Sequence, residues 1–224
     1  MTDGGPLLAI DTATTRAVIA LGTADGIPID VRDWVAGYRH GEELLVRIEA
    51  LLADHGIAPA ALGGVVVGTG PGAFTGLRVG IATAKGLAHA MALPIVGVVT
   101  GQALIAASGG GAVVLLQPAG PADRVLTRPG EHPVILAGGT EPGLRPGERL
   151  VAVDLADRAD PAATALGGAA HAGLAAALLT EGARRVTAGE ADDLATLVPE
   201  YVTLPRGVRE APAGGGVELT GGTR

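Results

Sequence analysis

Residues 68–80 read Gly68-Thr69-Gly70-Pro71-Gly72-Ala73-Phe74-Thr75-Gly76-Leu77-Arg78-Val79-Gly80, directly behind the apolar run Val65-Val66-Val67. β-branched residues bounded by glycines predict a short buried strand, and the Gly-Pro-Gly turn opens a helix from about Phe74 to Ala92. Glycines at such a turn let backbone N–H groups approach either an anion or another stretch of backbone, and the helix N-terminus adds partial positive charge. The standard phosphate loops fit poorly. No GxxxxGK[ST] is present, and Lys85 lies inside the helix. Gly68-x-Gly70-x-x-Ala73 matches a dinucleotide fingerprint loosely, but that site wants an acid about 20 residues further on, and no Asp or Glu stands between Asp54 and Asp123. Gly76, Gly80, Ala84 and Ala88 recur every four residues, a small-residue face that lets a neighbouring helix come close. Close packing and phosphate contact through Gly70, Gly72 and Thr75 are compatible, and both stay open.

Working outward, Leu7–Ile10 followed by Asp11-Thr12-Ala13-Thr14 reads as a buried strand ending in a polar turn, with 17–21 as the returning strand of a hairpin. A third strand is placed at 27–35. Leu44, Leu45, Ile48, Leu51 and Leu52 follow helical spacing over His40 to His55, with Glu42 and Glu43 in the first turn and Gly56 ending the helix. Beyond residue 92 the pattern predicts a strand at 95–99, a helix at 101–107, strands at 113–117, 124–127, 134–137 and 150–153, and one Ala-rich helix from Pro161 to Thr180. The Gly-rich stretch 211–224 reads as a disordered tail. A β-β-β-α-β-α unit followed by a looser α/β unit is the plan of actin and the sugar kinases, with duplicated ribonuclease-H-like lobes. The expected division is 1–108 and 109–210, the second lobe reduced.

Composition narrows the function. Fifteen Arg and one Lys stand against 23 acids, a net charge of −7, and the densest basic groupings are the pairs Arg184-Arg185 and Arg206 with Arg209. A polyanion needs clustered cations, which argues against nucleic acid as a direct partner. Four aromatics, Trp34, Tyr38, Phe74 and Tyr201, provide no base-stacking platform. Without cysteine there is no thiolate nucleophile and no Cys-based zinc site; His55, His89, His132 and His171 stand singly, and His40 beside Glu42 and Glu43 reads as a helix start. The charge-free run from Gly86 to Ala122 is broken by Pro94 and Gly109-Gly110-Gly111 into globular-sized elements, which argues against a membrane span, and the N-terminus does not read as a signal peptide. Asp11 and Thr12 at a strand end could hold a metal-bound phosphate or simply close the hairpin as an Asx or ST turn. An actin-like phosphotransferase built on Asp11 and the 68–76 loop would need a second carboxylate, Asp154 or Asp157. A peptidase would have to use Ser108, the one serine, or a threonine.

IDTAT at 10–14, RHGEELL at 39–45 and above all GTGPGAFTGLRVGIATAKGLAHAMALPIVGVVT at 68–100 are similar to the N-terminal half of TsaB (YeaZ) proteins, and Pro199-x-Tyr201 resembles that family's PxYLR ending. The likeness runs over residues 7–108. It implies an actin-like fold and a cytoplasmic, non-catalytic scaffold in the machinery that puts a threonylcarbamoyl group on adenosine 37 of tRNA. It further implies pairing with the catalytic TsaD homologue and with the ATPase TsaE homologue, tRNA met only through the complex, ATP and Mg at the level of the complex, and a homodimer when unpartnered. In the catalytic paralogue a histidine-bearing stretch follows the strand after this helix; here Val99-Thr100-Gly101-Gln102-Ala103-Leu104 stands there, with Thr100 and Leu104 at the ligand positions, so no metal or catalytic residue is implied. The partner surface is expected on Leu44, Ile48, Leu51, Gly76, Arg78, Gly80 and Ala84. One departure is Pro118–Val125, which stands where the family shows a DARR-x-EVY-like hairpin.

Overall fold

The structure is a computed structural model that describes residues 4–35 and 40–202, the His40 side chain excepted. The tail expected at 211–224 and the Arg206/Arg209 pair lie outside the described residues, as does the side chain of His40.

Leu7–Asp11 (β1), Arg16–Gly22 (β2) and Pro28–Val35 (β3) form an antiparallel meander, with Ile10 opposite Ile19 and Ala17 opposite Trp34. The helix His40–Asp54 (α1) carries the chain across to Gly64–Gly68 (β4), parallel to β1; Phe74–Met91 (α2) then leads to Ile95–Val98 (β5), parallel to β4. The sheet order is β3-β2-β1-β4-β5. β1 and β4 are buried on both faces, which is why LLAI and VVV are continuous apolar runs rather than alternating ones. The edge strand β3 alternates, with Trp34 inward and Ile29, Val31 and Val35 exposed. α1 buries Leu44, Ile48, Leu51 and Leu52, one stripe at helical spacing, against β1, β2 and α2.

After Thr100–Ala107 (α3), the second sheet repeats the opening of the first. Val113–Pro118 (β6), Arg124–Thr127 (β7) and Val134–Leu136 (β8) form an antiparallel meander, and Arg149–Ala152 (β9) runs parallel to β6, giving the order β8-β7-β6-β9. Two elements of the first lobe have no counterpart here among the described residues. No helix links β8 to β9; residues 137–148 are instead pinned by Arg128, which bonds both Glu148 and the Gly143 carbonyl, and this pairing holds the Glu148 carboxyl down to about 2. No fifth strand flanks β9. The helix Pro161–Ala172 (α4) packs on it instead, so closely that a Cβ on Gly167 would fall 1.8 Å from the Ala152 carbonyl oxygen. A helix laid on a strand in this way blunts the edge that a missing neighbour would expose.

The single helix expected from Pro161 to Thr180 is two helices. Asp160 caps α4 by accepting from the Ala162 and Ala163 amides. The chain then bends by 47° at Gly173 into Leu174–Thr187 (α5), seven residues past the expected end. A glycine suits the bend, since a Cβ on Gly173 would lie 3.0 Å from that of Ala107 on α3. α5 thereby leaves the second sheet and covers the open face of the first: Leu178, Leu179 and Ala183 pack with Leu7, Ala9, Val66 and Val96. Gly182, a helix breaker by composition, lets α5 sit on the sheet, with a Cβ there only 2.2 Å from Val66. The end of α5 and the segment that follows close the β5 edge, where Arg185 donates to the Gly97 carbonyl at 2.9 Å and Asp192 accepts from the Gly97 amide at 2.7 Å. No single described helix is long and apolar enough to cross a membrane; α4 and α5 pass such a test only as a bent pair.

Candidate functional site

The turn after β1 and the Gly-rich turn after β4 end side by side, and their polar groups bond to one another. Asp11 is fully buried: one oxygen accepts from the Ala13 amide at 2.8 Å, the other from the Thr100 hydroxyl at 2.6 Å. Thr100 in turn accepts from the Gly70 amide at 3.0 Å, the Ala73 amide donates to the Ala13 carbonyl at 2.7 Å, and Thr12 donates to the Gly76 carbonyl at 2.7 Å. Side chains would not fit between these turns: a Cβ on Gly72 would lie 2.1 Å from the Ala13 carbonyl oxygen and one on Gly80 would lie 2.2 Å from Thr12 Oγ1. Of the two readings left open for the glycines, close packing is the one seen. The Gly70 and Ala73 amides, which a phosphate would need, are taken; on the small-residue face of α2, Gly76 and Gly80 receive the Thr12 turn, and Ala84 and Ala88 pack in the core shared with α1. Thr75 is exposed at the start of α2.

The second lobe grips the same turn from the other side. Asp154, in left-handed backbone at φ 59°, accepts from the Thr15 amide at 2.7 Å and the Thr15 hydroxyl at 2.5 Å, and His171 Nε2 lies 3.1 Å from Thr14 Oγ1. Thr14 donates to the Arg16 carbonyl, so its hydroxyl proton is directed away from His171 and the imidazole acts as donor. The carboxylate that a phosphotransferase would need is thus an interlobe latch. The gap between Pro71–Phe74 and Pro118–Val125 is about 40 Å³, whereas a separate open cleft of about 390 Å³ is lined in part by Thr15, Asp154 and His171.

Leu44, Ile48 and Leu51, expected on a partner surface, are buried in the chain's own core, and Gly76, Gly80 and Ala84 are buried too. The correction has a simple cause: an amphipathic stripe is claimed first by the sheet beneath it. Facing outward instead are Leu45 and Val46 on α1 and Thr75, Arg78, Ala82 and Gly86 on α2. Arg78 is the expected interface residue that remains at the surface. Its guanidinium carbon lies 3.9 Å from the Phe74 ring centroid, and its Nε donates to the Tyr201 hydroxyl at 2.9 Å. Phe74 and Arg78 share a face at i, i+4, whereas Tyr201 is 123 positions away, and its Pro199-x-Tyr201 motif gives no sign of this contact.

The family model "TsaD: tRNA N6-adenosine threonylcarbamoyltransferase" matches residues 34–127. An uncharacterized protein of Mycobacterium leprae is 44% identical over 95 residues, 41% of this chain and 26% of that protein. The tRNA threonylcarbamoyladenosine biosynthesis protein TsaB of Escherichia coli is 36% identical over 94 residues, 42% of this chain and 40% of that one. The structure of YeaZ from Pseudomonas aeruginosa superposes with a TM-score of 0.65 at 21% identity, covering 88% of this chain and 100% of that chain. The chain is similar to TsaB (YeaZ) proteins in sequence over about two fifths of its length and in fold over most of it. Its alignment to these sequence relatives spans less than half of their length, whereas the fold match runs nearly end to end and places the two lobes in the actin-like class.

In this TsaB-like chain the buried Asp11 has a thermodynamic signature. Burial pushes its carboxyl up from the ordinary value of 3.8, more than the bonds from Thr100 and Ala13 pull it down. Between the unfolded and the raised folded pKa the folded state binds more proton, so stability falls as pH rises through that window. Asp11→Asn removes the titration. Its stability relative to the parent should therefore improve steadily as pH is raised from about 4 through that window, measured by urea unfolding at a series of pH values; parallel curves for the two proteins would sink this account.

Proposed function

We propose that this chain is a non-catalytic scaffold subunit in the formation of threonylcarbamoyladenosine at position 37 of tRNA, working in the cytoplasm with a TsaD-type catalytic subunit and a TsaE-type ATPase. The observation that carries the reading is the inward bonding of the 11–15 and 68–76 turns. The parts that would bind and activate a nucleotide in an actin-like enzyme hold the fold together, with Asp11 enclosed and Asp154 on Thr15. The names of the TsaB relatives supply the process. The net charge of −7 fits tRNA contacts made by other subunits. Leu45, Val46, Ala82 and Gly86 form the partner surface: two exposed apolar side chains beside a stretch of helix with almost no side-chain bulk, open to a close helix–helix crossing.

Size-exclusion chromatography with light scattering, on the chain alone and mixed with the TsaD homologue from the same source, tests this. A self-dimer that gives way to a one-to-one heterodimer is expected. Val46→Asp should then weaken the heterodimer by about tenfold or more with an unchanged unfolding midpoint, while Leu44→Ala should cost about 2–5 kcal/mol of stability, because that side chain is core. ATP hydrolysis by the chain alone, without heterodimer, would replace the scaffold reading by the phosphotransferase.

A further inference from the structure

Every other described arginine meets a carboxylate or a backbone carbonyl. Arg16, Arg32, Arg47, Arg128, Arg145, Arg184 and Arg185 have acidic partners, and Arg124, Arg149 and Arg158 have carbonyl ones. Arg78 has neither. It is exposed, yet it is held: Phe74 lies against one face of the guanidinium at 3.9 Å, the Tyr201 ring is 5.9 Å away, and the two rings stack on each other at 5.4 Å. The Tyr201 hydroxyl takes the Nε hydrogen, which leaves the Nη edge as a planar fork of donors with its direction set by two aromatic rings. Such a fork suits one ligand chemistry, the paired oxygens of a carboxylate or phosphate. Much of the rotamer entropy that binding usually costs has been lost in folding.

The surroundings decide between the two oxyanions. A nucleic-acid surface gathers several cations, whereas Arg78 is the one described arginine left without an acid or carbonyl, and it stands beside exposed Phe74 on an acidic chain. An arginine flanked by aromatic carbon at the end of an exposed helix stripe has the make-up of a protein–protein hot spot. We propose that Arg78, set by Phe74 and Tyr201, receives an Asp or Glu side chain of the partner subunit and anchors that interface. The proposal rests on the scaffold reading and names the chemistry by which the partner is recognised.

Calorimetric titration of the full chain against the TsaD homologue, at low and at high salt, tests it with Arg78→Lys, Arg78→Met and Tyr201→Phe. Arg78→Lys keeps the charge but loses the fork, and should weaken binding about tenfold or more. Arg78→Met should weaken it at least as much and flatten the salt dependence. Tyr201→Phe should have a smaller effect in the same direction. All three should keep the parental unfolding midpoint, since the cluster is at the surface. Parental affinity in both Arg78 variants overturns the proposal and leaves the scaffold reading standing. No complex with the parent chain overturns both. Unchanged heterodimer affinity with weakened tRNA binding by the assembled complex identifies the anion as RNA phosphate, and also overturns it.

Discussion

Gly182→Leu is expected to cost about 3 kcal/mol or more, lowering the unfolding midpoint by roughly 6–12 °C. Two effects oppose each other at this position. Replacing glycine inside a helix gains about 1 kcal/mol through backbone entropy and propensity. The new side chain, however, begins with a Cβ 2.2 Å from Val66 Cγ2, and Val66 is fully buried in the interior strand β4 with a β-branched side chain that has nowhere to turn. Overpacking wins because α5 cannot back away without uncovering Leu7, Ala9 and Val96. Gly168→Ala is the matched control: it lies inside α4 with nothing within 4 Å of its Cβ, so only the helix gain remains, about 0.5–1 kcal/mol of added stability. Thermal unfolding of both variants checks the pair; a Gly182→Leu protein as stable as the parent would mean that α5 does not seat on β4 as described.

Thr100→Val should cost about 3–5 kcal/mol although it changes almost no volume. The hydroxyl is the sole link in a chain of two bonds, accepting from the Gly70 amide and donating to Asp11, all three groups being buried. A methyl in its place leaves a buried N–H without an acceptor and a buried carboxylate short of a donor. Because the Thr100 bond pulls the Asp11 carboxyl down, losing it raises that group further, so the loss should grow as pH is raised through the titration of that group. Thr100→Ser should restore most of the stability. An equal loss across the whole accessible pH range would show that Asp11 is not the group that suffers.

How much of this was legible beforehand varied with distance along the chain. The strand–turn–helix from Val65 to Ala92, the first hairpin and the β-β-β-α-β-α order follow from local periodicity and turn chemistry, and all are present. Side choice was harder. Leu44, Ile48 and Leu51 announce an amphipathic helix, but periodicity does not say whether the stripe faces its own sheet or another protein; the surplus residues Leu45 and Val46 are the better guide to the outside. Gly173 and Gly182 look alike as helix breakers, yet one ends a helix against Ala107 and the other lies within a helix against Val66, a difference set by neighbours far away in sequence. The contacts that define the site, Asp11 with Thr100, Thr15 with Asp154 and Arg78 with Tyr201, join residues 89, 139 and 123 positions apart, and no window of sequence contains them.

The bend at Gly173 also says something about how this chain could be divided. Repeated topology invites the thought of two modules, each cut out and studied alone. Yet the layer that shields one flank of the N-terminal sheet is supplied by residues 174–187, so a fragment ending near Ser108 would present Leu7, Ala9, Val66 and Val96 to water. The two stretches behave as complementary halves of one folding unit, and the N-terminal stretch acquires its missing wall only when the last third of the polypeptide is at hand.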